Sequence, residues 1–200
     1  MSEQAALFKR LAQALPAQAE HWQGEGRQAG VLVALTDEPV PRVLLGRRAM
    51  HLKLHPGEIA FPGGKRESSD EGPWNTALRE AWEEVGIISE QVRPLGGLPM
   101  LLTRFGFEVW PCIGVVPPGL DLVVDPGEFD SVFQPELKAF ANHDVYELTL
   151  TEDGEHSRWV PHFHLGDDDV WGVTAAVLAQ LANLLYDAGF ELKRDWGQRP

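Results

Sequence analysis

The spacing of apolar positions divides the chain into units. At 3–15, Leu7, Phe8, Leu11 and Leu15 recur at helical spacing and Pro16 closes the segment, which predicts a short amphipathic helix. Residues 17–27 are polar and read as a linker. Strand patterns follow at 30–35 and 42–47, joined by a loop carrying Pro39 and Pro41. Residues 58–61 read as a short strand, and the Pro62-Gly63-Gly64 triplet predicts a tight turn. A polar loop then leads into a helix whose first turn holds Pro73, with Asp70 or Glu71 as its cap and Gly86 as its left-handed stop. Further strands are expected at 96–99, 107–116, 145–151 and 157–160, with a hairpin signal at 152–155. Residues 127–133 begin polar and end apolar. A last helix at 174–188 carries Val177, Leu178, Leu181, Leu184 and Leu185 and ends at Gly189. Mixed strands with helices imply an α/β sandwich. The domain lies at 30–188, with an N-terminal helix and linker at 1–29 and a tail at 189–200.

The helix at 73–86 carries the chemistry. Its end reads Arg-Glu-Ala-Trp-Glu-Glu-Val-Gly-Ile at 79–87. At about 100° per residue, Glu84 lies about 40° from Glu80 and Glu83 about 60° to the other side. Trp74, Ala77, Leu78, Ala81 and Val85 form the opposing apolar face. A solvated helix face explains such acids in many proteins. A divalent cation would turn their repulsion into attraction, and hard oxygen ligands suit Mg²⁺ or Mn²⁺. The glycine pair before the helix lets backbone approach a ligand closely.

Composition narrows the partners. A formal net charge of −13 argues against nucleic acid and anionic membranes, so an anionic substrate must be met locally by a cation or by placed Arg and Lys. No apolar run approaches the length of a membrane span, and the N-terminus lacks the pattern of a signal peptide. The single Cys112 sits in an apolar run and fits a buried strand thiol in a reducing cytoplasm. His162 and His164 have no partners at zinc spacing, so surface histidines are expected there.

Residues 64–87 resemble the Nudix box, the signature of the Nudix hydrolases. That pattern is Gly, five residues, Glu, seven residues, then Arg-Glu-apolar-x-Glu-Glu-x-Gly-apolar. Residues 79–87 match throughout. The loop is one residue longer: Glu71 stands seven places after Gly64, while Asp70 holds the acid position with eight residues before Arg79. Residues 44–64 further resemble the motif of the coenzyme A pyrophosphatase branch at Arg48, Leu52, His55, Gly57 and Phe61 to Gly64. Gly46, Ala49, Lys53 and, later, Phe105 depart from the branch.

The resemblance implies an α/β/α sandwich and Mg²⁺- or Mn²⁺-dependent hydrolysis of the diphosphate of coenzyme A or a derivative, giving 4′-phosphopantetheine and 3′,5′-ADP. It implies Glu80, Glu83, Glu84 and the Gly64 carbonyl as metal ligands, with Glu80 as general base and Arg79 orienting Glu83 by bidentate hydrogen bonds. Glu128 is the candidate base outside the box; a loop acid before a strand is the plainer account of it. Arg48, Lys53 and Gly63 are candidates for substrate phosphates. His55 could bond a phosphate or hold its turn, and the turn is preferred. Coenzyme A also carries a 3′-phosphate, so a second cationic patch is expected, which the sequence does not locate. The alternatives are another nucleoside diphosphate derivative (ADP-ribose, a dinucleotide or a nucleoside triphosphate) and a non-catalytic nucleotide-binding module. A homodimer is left open.

Overall fold

A computed structural model describes residues 3–16, 20–153 and 156–192. The elements are α1 (Glu3–Ala14), β1 (Arg27–Thr36), β2 (Leu45–Arg48), β3 (Ile59–Ala60), β4 (Gly63–Lys65), α2 (Pro73–Val85), β5 (Arg93–Gly97), β6 (Leu101–Leu102), β7 (Phe107–Val116), β8 (Phe129–Phe133), β9 (Tyr146–Asp153), β10 (His156–Leu165), β11 (Asp168–Trp171) and α3 (Gly172–Tyr186). The central sheet runs β4-β1-β7-β5, with β6 also on β7; β1 and β7 are parallel over their whole length. Two three-stranded sheets, β3-β2-β8 and β11-β10-β9, complete the fold.

The alternation of side chains along a strand sorts β1 between two helix layers. Leu32 and Ala34 face α2 and pack with Ala77, Ala81 and Val85. Val33 and Leu35 face the other way, into a core shared with Phe8 and Leu11 of α1 and with Ala175, Leu178 and Leu181 of α3. This is why β1 is apolar nearly throughout: a strand covered on both faces has no solvent side. The arrangement is the expected α/β/α sandwich. Cys112 is fully buried in β7, as its apolar context predicts.

Several boundaries differ from the sequence reading. The strand expected at 42–47 begins at Leu45, because 42–44 crosses between sheets: Leu44 N–H bonds Ala34 O in the first, while Arg42 bridges Glu136 outside both. The tight turn expected at 62–64 is instead strand β4, antiparallel to β1 with Gly64 opposite Gly30. Gly63 adopts φ 155°, open to glycine, and a Cβ there would lie 2.5 Å from Gly30 O. Helix α2 is capped by Gly72, whose N–H is met by the Asn75 side chain, and not by Asp70 or Glu71; it stops at Gly86, φ 75°, as expected. Helix α3 ends at Asp187, φ 52°, two residues before Gly189. Strand β11 is too short and too acidic to be read from its pattern. Strands β9 and β10 pair as the hairpin signal implies; Gly154 and Glu155 at its tip, and 17–19 and 193–200 of the linker and tail, lie outside the described residues.

The approach of α2 to β1 is set by Gly30, where a Cβ would lie 2.5 Å from the Pro73 carbonyl oxygen. The carbonyl is backbone and a Cβ has no torsion of its own, so neither can rotate away. Gly30→Ala is expected to cost about 3 kcal/mol or more in chemical denaturation. A cost under about 0.5 kcal/mol would show that α2 can settle farther from the sheet.

Candidate active site

Helix α2 presents its acids toward β4 in three different environments. Glu84 is 3% exposed and accepts a hydrogen bond from Gly63 N–H at 2.9 Å. Burial, reinforced by the charges of Glu80 and Glu128, pushes its carboxyl up to about 8, despite the opposing Gly63 N–H and Arg48. Glu80 is partly buried, and its carboxylate lies so close to Gly64 that a Cβ there would fall 2.4 Å from Oε1. Burial raises its proton affinity; Arg79 opposes this, while Glu83 and Glu128 add to it. Glu83 is exposed.

Arg79 joins the acids to the loop before the helix. Its Nη1 reaches Glu80 at 2.9 Å and Glu83 at 3.1 Å. Its two-pronged grip is on Asp70, not on Glu83 as expected: Nε donates to Oδ1 at 3.3 Å and Nη2 to Oδ2 at 3.0 Å. Nη2 also donates to the Lys65 carbonyl at 3.0 Å. Asp70 is buried and further accepts from Glu67 N–H and the Thr76 hydroxyl. Burial works against its charge, yet these donors outweigh it and hold the carboxyl below its ordinary value. Glu71 is exposed, and its carbonyl accepts from Trp22 N–H. Of the two loop acids, Asp70 is the one that anchors Arg79. The signal was the spacing of Asp70, Thr76 and Arg79 across a helix start, legible only once the cap was known to be Gly72.

The loop before β8 brings in Glu128, far from Arg48 in sequence: Arg48 Nη2 lies 3.6 Å from its Oε2. Its charge adds to the raised proton affinity of both Glu80 and Glu84, which places this loop acid near the cluster. Arg48 Nε is buried with no hydrogen-bond partner among the described residues. Lys53 is exposed and forms no ion pair among the described residues. His55 holds its turn, as preferred: at φ 58° its Nδ1 bonds the Glu58 carboxylate at 2.9 Å, and its ring meets Phe105.

The donors are all oxygen, which suits a hard divalent ion. Glu84 and Glu80 both have raised proton affinity, the mark of carboxylates short of positive charge, and an ion beside them would supply it. Among the described residues, no three acids or histidines converge into a ready-made cage. Arg79 engages Glu80 and Glu83 instead.

The NUDIX domain model matches residues 26–167. Proteins described as uncharacterized Nudix hydrolase NudL, from Enterobacter sp. (strain 638) and Salmonella newport (strain SL254), are each 38% identical over 161 residues, covering 78% of this chain and 81% of theirs. Among solved structures, a NUDIX hydrolase from Alicyclobacillus acidocaldarius aligns with TM-score 0.53 at 18% identity, covering 80% of this chain and 93% of that one. A MutT/nudix family protein from Enterococcus faecalis aligns with TM-score 0.50 at 18% identity, covering 94% and 70%. The structural likenesses speak for the fold alone, whereas the domain match and the NudL relatives reach the chemistry: the chain belongs to the Nudix family, and it is a pyrophosphohydrolase.

Proposed function

We propose that the protein hydrolyses the diphosphate linkage of coenzyme A or a derivative, with Mg²⁺ or Mn²⁺ held by Glu80, Glu83, Glu84 and the Gly64 carbonyl. The observation that carries the reading is Arg48. Its Nε is a buried donor without a partner among the described residues, beside Glu128 and within the field of Glu84. Leaving such a donor unpaired costs about 1–3 kcal/mol, and a phosphoryl oxygen would satisfy it. The metal, when bound, would neutralise charge on the phosphoryl oxygens and lower the pKa of water so that the nucleophilic hydroxide forms near neutral pH.

The chain's own residues do the rest. Glu80, pressed against β4, is the base we favour for the attacking water, with Glu128 as the second candidate. Arg79, fixed by Asp70, keeps Glu80 and Glu83 on the β4 side of the helix. To hold an ion, Glu80 and Glu83 would give up part of their contact with Arg79. Lys53, Gly63 and Arg48 meet the substrate's phosphates, and His55 keeps the approach loop in shape. The lone buried thiol fits a cytoplasmic setting.

The coenzyme A assignment is supported by the resemblance of 44–64. Two of its four departures have a packing cause. A side chain at Gly46 would collide with the Phe129 ring, 2.4 Å from its Cβ, and Ala49 is fully buried. Neither departure bears on substrate choice. Lys53 and Phe105 remain, both exposed, and they keep ADP-ribose or a dinucleotide as the second reading.

Chromatographic detection of the two phosphomonoester products from a panel of diphosphates with Mg²⁺ or Mn²⁺ is expected to rank coenzyme A above ADP-ribose, and Glu84→Gln is expected to lower turnover more than about 100-fold. Faster turnover of ADP-ribose would refute the substrate; undiminished activity in Glu84→Gln would refute the metal site.

The buried Glu84 also makes metal-free stability depend on pH. Unfolded, the group titrates near 4.5; folded, at about 8. Between these values the folded state holds the extra proton, so this contribution is full below about pH 4.5 and falls as pH rises through the folded value. The loss is at most about 5 kcal/mol. With metal removed by EDTA, the wild type is expected to lose stability between about pH 5 and pH 8 relative to Glu84→Gln, whose amide can still accept from Gly63 N–H. Parallel pH profiles for the two proteins would contradict the burial of this charge.

A further inference from the structure

The sheet β11-β10-β9 has a solvent face that the catalytic cluster does not use. Its registers place Arg158 opposite Thr151 and His162 opposite Trp171. Alternation puts Arg158, Val160 and His162 on one face of β10, while Phe163 points into the core. Together with Thr151, Asp169 and Trp171 these residues line a concavity of about 230 Å³, closed on one side by Arg104 from the β6–β7 hairpin. Two guanidiniums in one hollow stand out in a chain of net charge −13. The acid in the hollow, Asp169, is engaged by His162 Nδ1 at 3.0 Å. The Trp171 ring is stacked near-parallel with His162, 13° between planes, so the hollow offers a flat aromatic surface beside its cationic groups.

This hollow is tied to the catalytic side by two links. Arg47, next in sequence to Arg48, bonds Asp168 of β11. Phe105, next to Arg104, has its ring against His55, which in turn holds Glu58 just before β3. Hairpin tip and β11 are thus each tied by side-chain contacts to the segment that leads into β3 and β4.

We propose that this hollow binds the nucleotide end of the substrate: a purine against Trp171, and a phosphate monoester on the ribose held by Arg158 and Arg104. This rests on the coenzyme A reading, and it supplies the second cationic patch which that substrate needs. Base–aromatic stacking tolerates any purine, so the monoester contact sets the preference.

Calorimetric titration of the metal-free full chain with adenosine 3′,5′-bisphosphate and with AMP tests this. The wild type is expected to bind the bisphosphate at least about tenfold tighter than AMP, and Arg158→Ala to lose that difference. Arg158→Lys, which keeps the charge, should recover part of it, and a thermal melt confirms that each variant is folded. Equal binding of the two nucleotides by the wild type, or an unchanged preference in folded Arg158→Ala, would overturn the proposal. The outcomes separate the two readings. An Arg158-dependent preference in a protein that does not cleave coenzyme A keeps the hollow and removes the substrate. Cleavage of coenzyme A with no role for Arg158 in binding keeps the substrate and removes the hollow.

Discussion

Helix α2 lies against the glycine-lined edge of the central sheet with no room for a Cβ at the contacts. At Gly30 the obstacle would be the Pro73 carbonyl and at Gly64 the carboxylate of Glu80, while at Gly63 it would be Gly30 and Val31 of the neighbouring strand. Apolar packing of Ala77, Ala81 and Val85 on Leu32 and Ala34 draws the helix in, and the small residues set how far it comes. The acids on its flank are thereby taken partly out of water. Glu84 is the extreme case: its only compensation among the described hydrogen bonds is one backbone N–H. A fold that ends with carboxylates short of positive charge is arranged for a cation rather than for stability alone.

Arg79 and Asp70 hold that arrangement in place. Two charged hydrogen bonds between them, with Thr76, Glu67 N–H and the Lys65 carbonyl as further partners, tie the loop, the helix start and the end of β4 into one unit. The pair is mostly shielded from solvent, so it is little screened, and its hydrogen bonds offset the cost of burying it. The extra residue in the loop is accommodated between Asp70 and the helix, where Glu71 turns outward.

Much of this was legible in the chain. Residues 79–87 carry the box, the apolar face of α2 follows from periodicity, and its stop follows from Gly86. What escaped the sequence depends on partners far along the chain. Glycines at 63 and 64 favour a turn locally, and only pairing with β1 makes them a strand. Glu128 looks like an ordinary loop acid until Arg48 is found beside it. The hollow on β9, β10 and β11 needs three strands in register, one of them too short and acidic to recognise. Arg79 reaches Asp70 rather than Glu83 with both prongs because a guanidinium takes the buried carboxylate over the exposed one.

The close seating of Glu80 on Gly64 is the most direct point of attack. In Gly64→Ala the added methyl meets only the end of a flexible side chain, so the helix need not move and Glu80 must turn away. Gly64→Ala is expected to give a folded protein with near wild-type stability, Mn²⁺ affinity lowered by about tenfold or more in calorimetry, and turnover lost with it. A stable Gly64→Ala protein with unchanged metal affinity and unchanged turnover would contradict it.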